Sequence, residues 1–128
     1  MPYVHLVIGL ALVEFLYFGF QVGKAREVYK VPAPATTGDP VFERYFRVQM
    51  NTLELLVMFV PSILIFSFYL SPNIAAAVGA IYLVGRMVYL ITYVKDPKSR
   101  SVGFALSMLP IMFLLGGALF GAVRAALR

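Results

Sequence analysis

The chain has 128 residues, 61% hydrophobic and only 13% charged, whereas a soluble domain carries about 25% charged residues. That balance, with a mean hydropathy of +0.85, excludes an ordinary water-soluble domain and points to a bilayer. No cysteine is present and His5 is the single histidine, which excludes disulfides, a cysteine nucleophile and a metal cluster built on thiolates or histidines; the net charge of +5 reads as membrane topology, not as a nucleic-acid footprint.

A helix needs about 20 apolar residues to cross the hydrocarbon core. Tyr3 to Val22 is the first such stretch, broken only by Glu14. It lacks the basic start and small-residue cleavage site of a secretory signal, so it is expected to stay as a span. The connection from Lys30 to Pro40 carries Pro32, Pro34, Gly38 and small polar residues and reads as a loop. Beyond Pro40 the pattern is helical, so the second helix is expected to begin about two turns before its apolar part, Leu53 to Leu70. Ser71-Pro72 ends it. Ile74 to Val94 forms the third span. Asp96-Pro97 reads as an N-cap followed by proline at the first helical position, which puts Arg100 in the first turn of a fourth helix whose apolar run is Val102 to Ala126. Pro61 and Pro110 fall within spans, as membrane helices tolerate. Gly117 and Gly121 form a small-xxx-small packing pair. The expectation is an all-α integral membrane protein, a four-transmembrane-helix bundle in which residues 1–128 form one domain.

The first and third connections then share one side and hold Lys24, Arg26, Lys30, Arg44, Lys95, Lys98 and Arg100, against Arg124 and Arg128 on the other. The positive-inside rule puts the basic connections in the cytoplasm. Polar residues gather at that same end. At about 100° per residue, Arg44, Arg47, Asn51 and Glu54 share one sector of the second helix, and Gln49 faces away from it. Arg86, Tyr89 and Tyr93 share a stripe on the third. Glu54 and Arg86 sit at similar depth, so an intramembrane ion pair between them is expected. It leaves Arg47, Asn51, Tyr89, Tyr93 and Arg100 as surplus donors converging on one membrane face, where ionisable groups are costly and functional. Arg44, Lys24, Lys30, Lys95 and Lys98 read as orientation and headgroup charges, and Tyr45, Tyr69 and Tyr82 as packing or belt aromatics. Glu14 is a functional candidate by its depth alone; its partner is not legible in the sequence.

These residues carry a resemblance to the MAPEG family, the membrane-associated proteins in eicosanoid and glutathione metabolism, and within it to the branch of type 2 microsomal glutathione transferases and leukotriene C4 synthases. The resemblance runs from about Phe18 to Leu109 without gaps. It includes Gln21-Val22-Gly23-Lys24-Ala25-Arg26, Thr36-Thr37-Gly38, Phe42-Glu43-Arg44 with Arg47, Gln49, Asn51 and Glu54, and Gly85-Arg86 with Tyr89, Tyr93 and Arg100. It implies a homotrimer with glutathione as co-substrate, bound between subunits near the cytoplasmic side. Arg47, Asn51, Glu54, Tyr89, Tyr93 and Arg100 would come from one subunit, Arg26 and Gln49 from its neighbour, with Arg100 the residue tied to thiolate formation. Leu55 stands where eukaryotic relatives carry a tyrosine, and Glu27 replaces a basic residue of the synthase. The arginine that the non-catalytic branch has lost is present as Arg47.

The implied activity is conjugation of the glutathione thiolate to an apolar electrophile that arrives from the lipid, with reduction of a lipid hydroperoxide by the same thiolate as a second outcome. A bacterial inner membrane is the expected compartment. The readings from other classes are a small proton-coupled multidrug transporter that uses Glu14, and a non-catalytic lipid-binding scaffold of the same fold.

Overall fold

The computed structural model describes all 128 residues, Met1–Arg128. It contains four long helices, α1 (Pro2–Tyr29), α2 (Pro40–Tyr69), α3 (Pro72–Lys95) and α4 (Arg100–Ala126), with a short 3-10 turn, Pro97–Ser99, before the last. Each of the four is long and apolar enough to cross a membrane. The run from Pro40 to Tyr69 is unbroken despite Pro61, and α4 passes through Pro110.

Local chemistry sets the ends. Pro2, Pro40, Pro72 and Pro97 each open a helical segment, where the missing N–H would have lacked an intrahelical partner anyway. Asp39 caps α2, its Oδ1 accepting from the N–H groups of Val41 at 2.9 Å and Phe42 at 3.0 Å. Ser71 caps α3 by accepting from the Ile74 N–H at 3.2 Å. Asp96 caps the 3-10 turn by accepting from the Lys98 N–H at 3.0 Å. α1 stops where Lys30 enters the left-handed region at φ 56.

α1 and α4 each pack against both α2 and α3. The inward face of α2 runs through Val48, Thr52, Leu55, Phe59, Ile63 and Phe66, the spacing of three to four that one helical face requires. It meets Val4, Val7 and Ala11 of α1, Tyr82 of α3, and Ile111 and Leu114 of α4 in the main core, where the Phe59 and Tyr82 rings stack with centroids 4.0 Å apart. The outward faces are apolar as well, with Phe20, Val57 and Phe68 exposed. This is the surface expected of helices solvated by lipid.

α3 and α4 meet backbone to backbone. A Cβ on Gly85 would lie 2.6 Å from the Leu106 carbonyl carbon, and one on Gly103 would lie 2.5 Å from Tyr89 Cα. Both approaches need glycine. Gly117 and Gly121 pack against Phe66 and Tyr69 of α2, so the small-residue pair serves packing inside this chain.

Candidate functional site

At the end of the bundle where the first and third connections lie, α2, α3 and α4 enclose a cleft of about 440 Å3. Arg47 and Asn51 line it from α2, Tyr89 and Tyr93 from α3, and Arg100, Ser101, Phe104 and Ala105 from α4. A second hollow of about 430 Å3 shares Arg47 and Tyr93 with the first and continues over Thr36, Glu43, Arg44 and Pro97. Together they make a mixed groove, in which the charged groups of Arg47, Arg44, Glu43 and Arg100 stand beside the apolar faces of Phe46, Phe104 and Ala105. The Tyr89 and Tyr93 rings stack with centroids 5.2 Å apart and planes 5° from parallel, giving one wall a flat aromatic face.

Arg86 is not paired with Glu54. The expected ion pair is overturned: Arg86 is 0% exposed and donates from Nε to Ser107 Oγ at 2.9 Å, and from Nη1 to Asn51 Oδ1 at 2.8 Å and Thr52 Oγ1 at 3.1 Å. Its guanidinium also lies over the Tyr89 ring, 4.5 Å from the centroid. The two charges do lie at similar depth, but rotation about the helix axis separates them. Asn51 and Thr52 stand on the buried seam of α2, whereas Glu54 is turned about 100° from Leu55 and is exposed. The close approach at Gly85 brings Ser107 of α4 within reach of Arg86. With its carbonyl oxygen held by Arg86, Asn51 has its amide N–H groups left for the cleft.

Glu54 instead pairs with Arg47, Oε1 to Nη2 at 3.4 Å, both side chains more than half exposed. An exposed pair of this kind contributes little to stability and is readily exchanged for a ligand's charges. Arg44, expected to be a topology charge, has a specific partner: Nη1 donates to the Val94 carbonyl at 3.0 Å, tying α2 to the C-terminal end of α3. The Ser99 hydroxyl donates to the Thr92 carbonyl at 2.8 Å and to that of Asp96 at 2.7 Å, fixing the turn ahead of Arg100.

Arg100 is the first residue of α4, as the Asp96-Pro97 signal predicts. Arg47–Glu54 being the ion pair of this chain, the Arg100 guanidinium has no carboxylate partner. The 3-10 turn capped by Asp96 runs directly into α4, so this is a helix N-terminal end, whose dipole favours negative charge. Cation and helix end point to a site for an anion.

The structure thus brings Arg47, Asn51, Tyr89, Tyr93 and Arg100 into one cleft, with Glu54 joined through Arg47. Arg26 and Gln49 do not line it. Arg26 donates from Nη1 to the Ala35 carbonyl at 2.7 Å and lies over the Phe42 ring at 4.8 Å, holding the first connection against α2. Gln49 lies against Gly19 of α1. Sequence reasoning missed Ser101, Phe104 and Ala105. The signal was helical spacing, since Phe104 lies one turn beyond Arg100 on the same face.

The MAPEG family profile matches residues 4–120 of this chain. The chain is 42% identical over 102 residues to microsomal glutathione S-transferase 2 of Homo sapiens, across 78% of this chain and 69% of that protein. It is 34% identical over 119 residues to leukotriene C4 synthase of Cavia porcellus, across 87% and 79% of the two chains. An uncharacterized protein of Synechocystis sp. is 46% identical over 114 residues, across 89% and 83%.

Proposed function

The chain belongs to the MAPEG family, and on that premise we propose that it is a membrane-bound glutathione S-transferase that joins the glutathione thiolate to apolar electrophiles. The observation that carries this reading is the convergence of Arg47, Asn51, Tyr89, Tyr93 and Arg100 on one cleft, in a chain similar to microsomal glutathione S-transferases.

Glutathione offers two carboxylates, an ammonium, two peptide groups and a thiol. Arg47 suits a carboxylate, which a guanidinium binds in bidentate fashion. Glu54 takes the ammonium once Arg47 turns to the ligand, Asn51 donates to a peptide carbonyl, and the Tyr89–Tyr93 face walls the tripeptide. A free thiol of pKa about 8.5 is only a few per cent ionised at neutral pH. Arg100 and the dipole at this helix end stabilise the thiolate. The sulfur attacks the electrophilic carbon, and the C–S bond forms as the bond to the leaving group breaks. Phe104 and Ala105 face the apolar partner. With a lipid hydroperoxide the same thiolate attacks oxygen, and two glutathiones become the disulfide while the hydroperoxide becomes an alcohol and water.

The site faces the cytoplasm in this reading, because Lys24, Arg26, Lys30, Lys95 and Lys98 flank it; a bacterial inner membrane is the proposed compartment, and residues 1–128 act as one domain. Arg26 and Gln49 reach glutathione from a neighbouring subunit of a homotrimer. That they stand outside the cleft of their own chain supports this arrangement. The transporter reading rests on Glu14 alone, whereas the cleft residues Arg47, Asn51, Tyr89, Tyr93 and Arg100 favour the transferase.

A glutathione-conjugation assay with a panel of apolar electrophiles, run beside a lipid hydroperoxide on detergent-solubilised protein, tests the reading. Turnover that is lost in Arg100→Ala is expected. A folded protein that binds no glutathione by calorimetry would leave the lipid-binding scaffold in its place.

A further inference from the structure

Arg86 is a guanidinium with 0% exposure, and its three hydrogen-bond partners, Asn51, Thr52 and Ser107, are all neutral. A buried ion needs charge compensation as well as hydrogen bonds. No direct ion pair reaches it. The acid that faces it is Glu14 of α1, which stands between Ala11, clustered with Tyr82, and Phe18, clustered with Tyr89. Depth agrees: Glu14 lies eight residues in from Val22 and Arg86 eight from Val94, each about 12 Å at 1.5 Å per residue. Three buried polar atoms in this neighbourhood lack a partner in the chain, Glu14 Oε1, the Tyr82 hydroxyl oxygen and Arg86 Nη2. Tyr82 and Arg86 stand one turn apart on α3, on the same face. The set is an acceptor, a hydroxyl and a donor, the complement a buried water with about three hydrogen bonds requires.

We propose that ionised Glu14 is the counter-ion of Arg86, joined to it through a single buried water that the Tyr82 hydroxyl also holds, and that it thereby positions Asn51 for the ligand. The water donates to Glu14 Oε1 and accepts from the Arg86 Nη2 N–H, and Tyr82 completes its shell. Arg86 then presents Nη1 to Asn51 Oδ1 in one fixed orientation. Glu14 is a positioning residue: it lies outside the cleft and acts through Arg86. The last step rests on Asn51 being a glutathione contact.

The test is steady-state kinetics and glutathione binding by the full chain in detergent, with infrared spectra of the same protein. Glu14→Gln is expected to raise the glutathione KM about three- to tenfold, the loss of one ordinary hydrogen bond, with kcat changed less than about twofold. Glu14→Asp, which keeps the charge, retains most of the affinity. In an Asn51→Ala background the Glu14→Gln change adds nothing further, because both act on one contact. The infrared carboxylate band that shifts in Glu14→Asp is expected to be that of an ionised acid. Should Glu14→Gln fail to fold, Tyr82→Phe, alone and with Asn51→Ala, decides the matter by the same pattern at smaller amplitude. A wild-type KM in the folded variants, additivity with Asn51→Ala, or a protonated Glu14 overturns the proposal. Binding that depends on Arg47 but not on Glu14 removes this inference alone, whereas wild-type protein that binds no glutathione removes the reading of the cleft.

Discussion

Gly103 of α4 lies against the backbone of Tyr89 on α3, so closely that a Cβ there would sit 2.5 Å from Tyr89 Cα. This contact sets the width of the cleft, since Tyr89 and Arg100 stand on its two sides. Gly103→Ala must push the helices apart, at a cost of about 1–3 kcal/mol for overpacking. Thermal unfolding in detergent should show the loss. Turnover should fall with it, as Arg100 moves away from the tyrosine wall. An alanine variant of wild-type stability and rate would mean that the helices separate without consequence.

Arg47 carries the strongest expectation for binding. Arg47→Ala removes the proposed partner of a glutathione carboxylate and should weaken glutathione affinity by about 1.5–3 kcal/mol, the value of a charged hydrogen bond. Calorimetry with glutathione measures it. An unchanged Kd would make Arg47 a topology charge whose only partner is Glu54.

Arg100 separates chemistry from binding. In the proposed mechanism its cation holds the thiol of bound glutathione below the free value, so Arg100→Ala should raise that pKa. Thiolate absorbance near neutral pH should drop, and turnover should fall there and partly recover as pH rises through the free-thiol range, where glutathione ionises unaided. Glutathione affinity should change less than in Arg47→Ala. Arg100→Lys keeps the charge and loses the planar fork, so part of the effect should survive. A pH–rate profile identical to wild type would hand the thiolate to Tyr89 or Tyr93.

Ser107 tests the buried network without touching the cleft. Its hydroxyl accepts from Arg86 Nε at 2.9 Å and donates to the Gly103 carbonyl at 2.7 Å. Ser107→Ala leaves a buried charged donor unpaired, which should lower stability by about 1–3 kcal/mol. Chemical denaturation in detergent reads this, and a variant as stable as wild type would show that Arg86 finds another acceptor.

The oligomer has its own test. Chemical cross-linking and mass measurement of the solubilised protein should give a trimer, and Arg26→Ala should weaken glutathione binding although Arg26 stands outside the cleft of its own chain. A monomer with full affinity would refute the shared site.

The sequence by itself determined the four spans, the cap at Asp96, and Arg100 in the first turn of the last helix. Each of these depends on hydropathy, a proline or a short polar side chain acting within one segment, so local physics suffices. Helical spacing also put Arg47, Asn51, Tyr89 and Tyr93 on faces that meet. Only the tertiary structure decided which partner each buried charge takes. Depth along an axis can be counted from a sequence, but rotation about it is set by packing between helices, here by Gly85 against Leu106 and Gly103 against Tyr89. That rotation gives Arg86 to Asn51, Thr52 and Ser107, leaves Glu54 to Arg47, and turns Phe104 into the cleft.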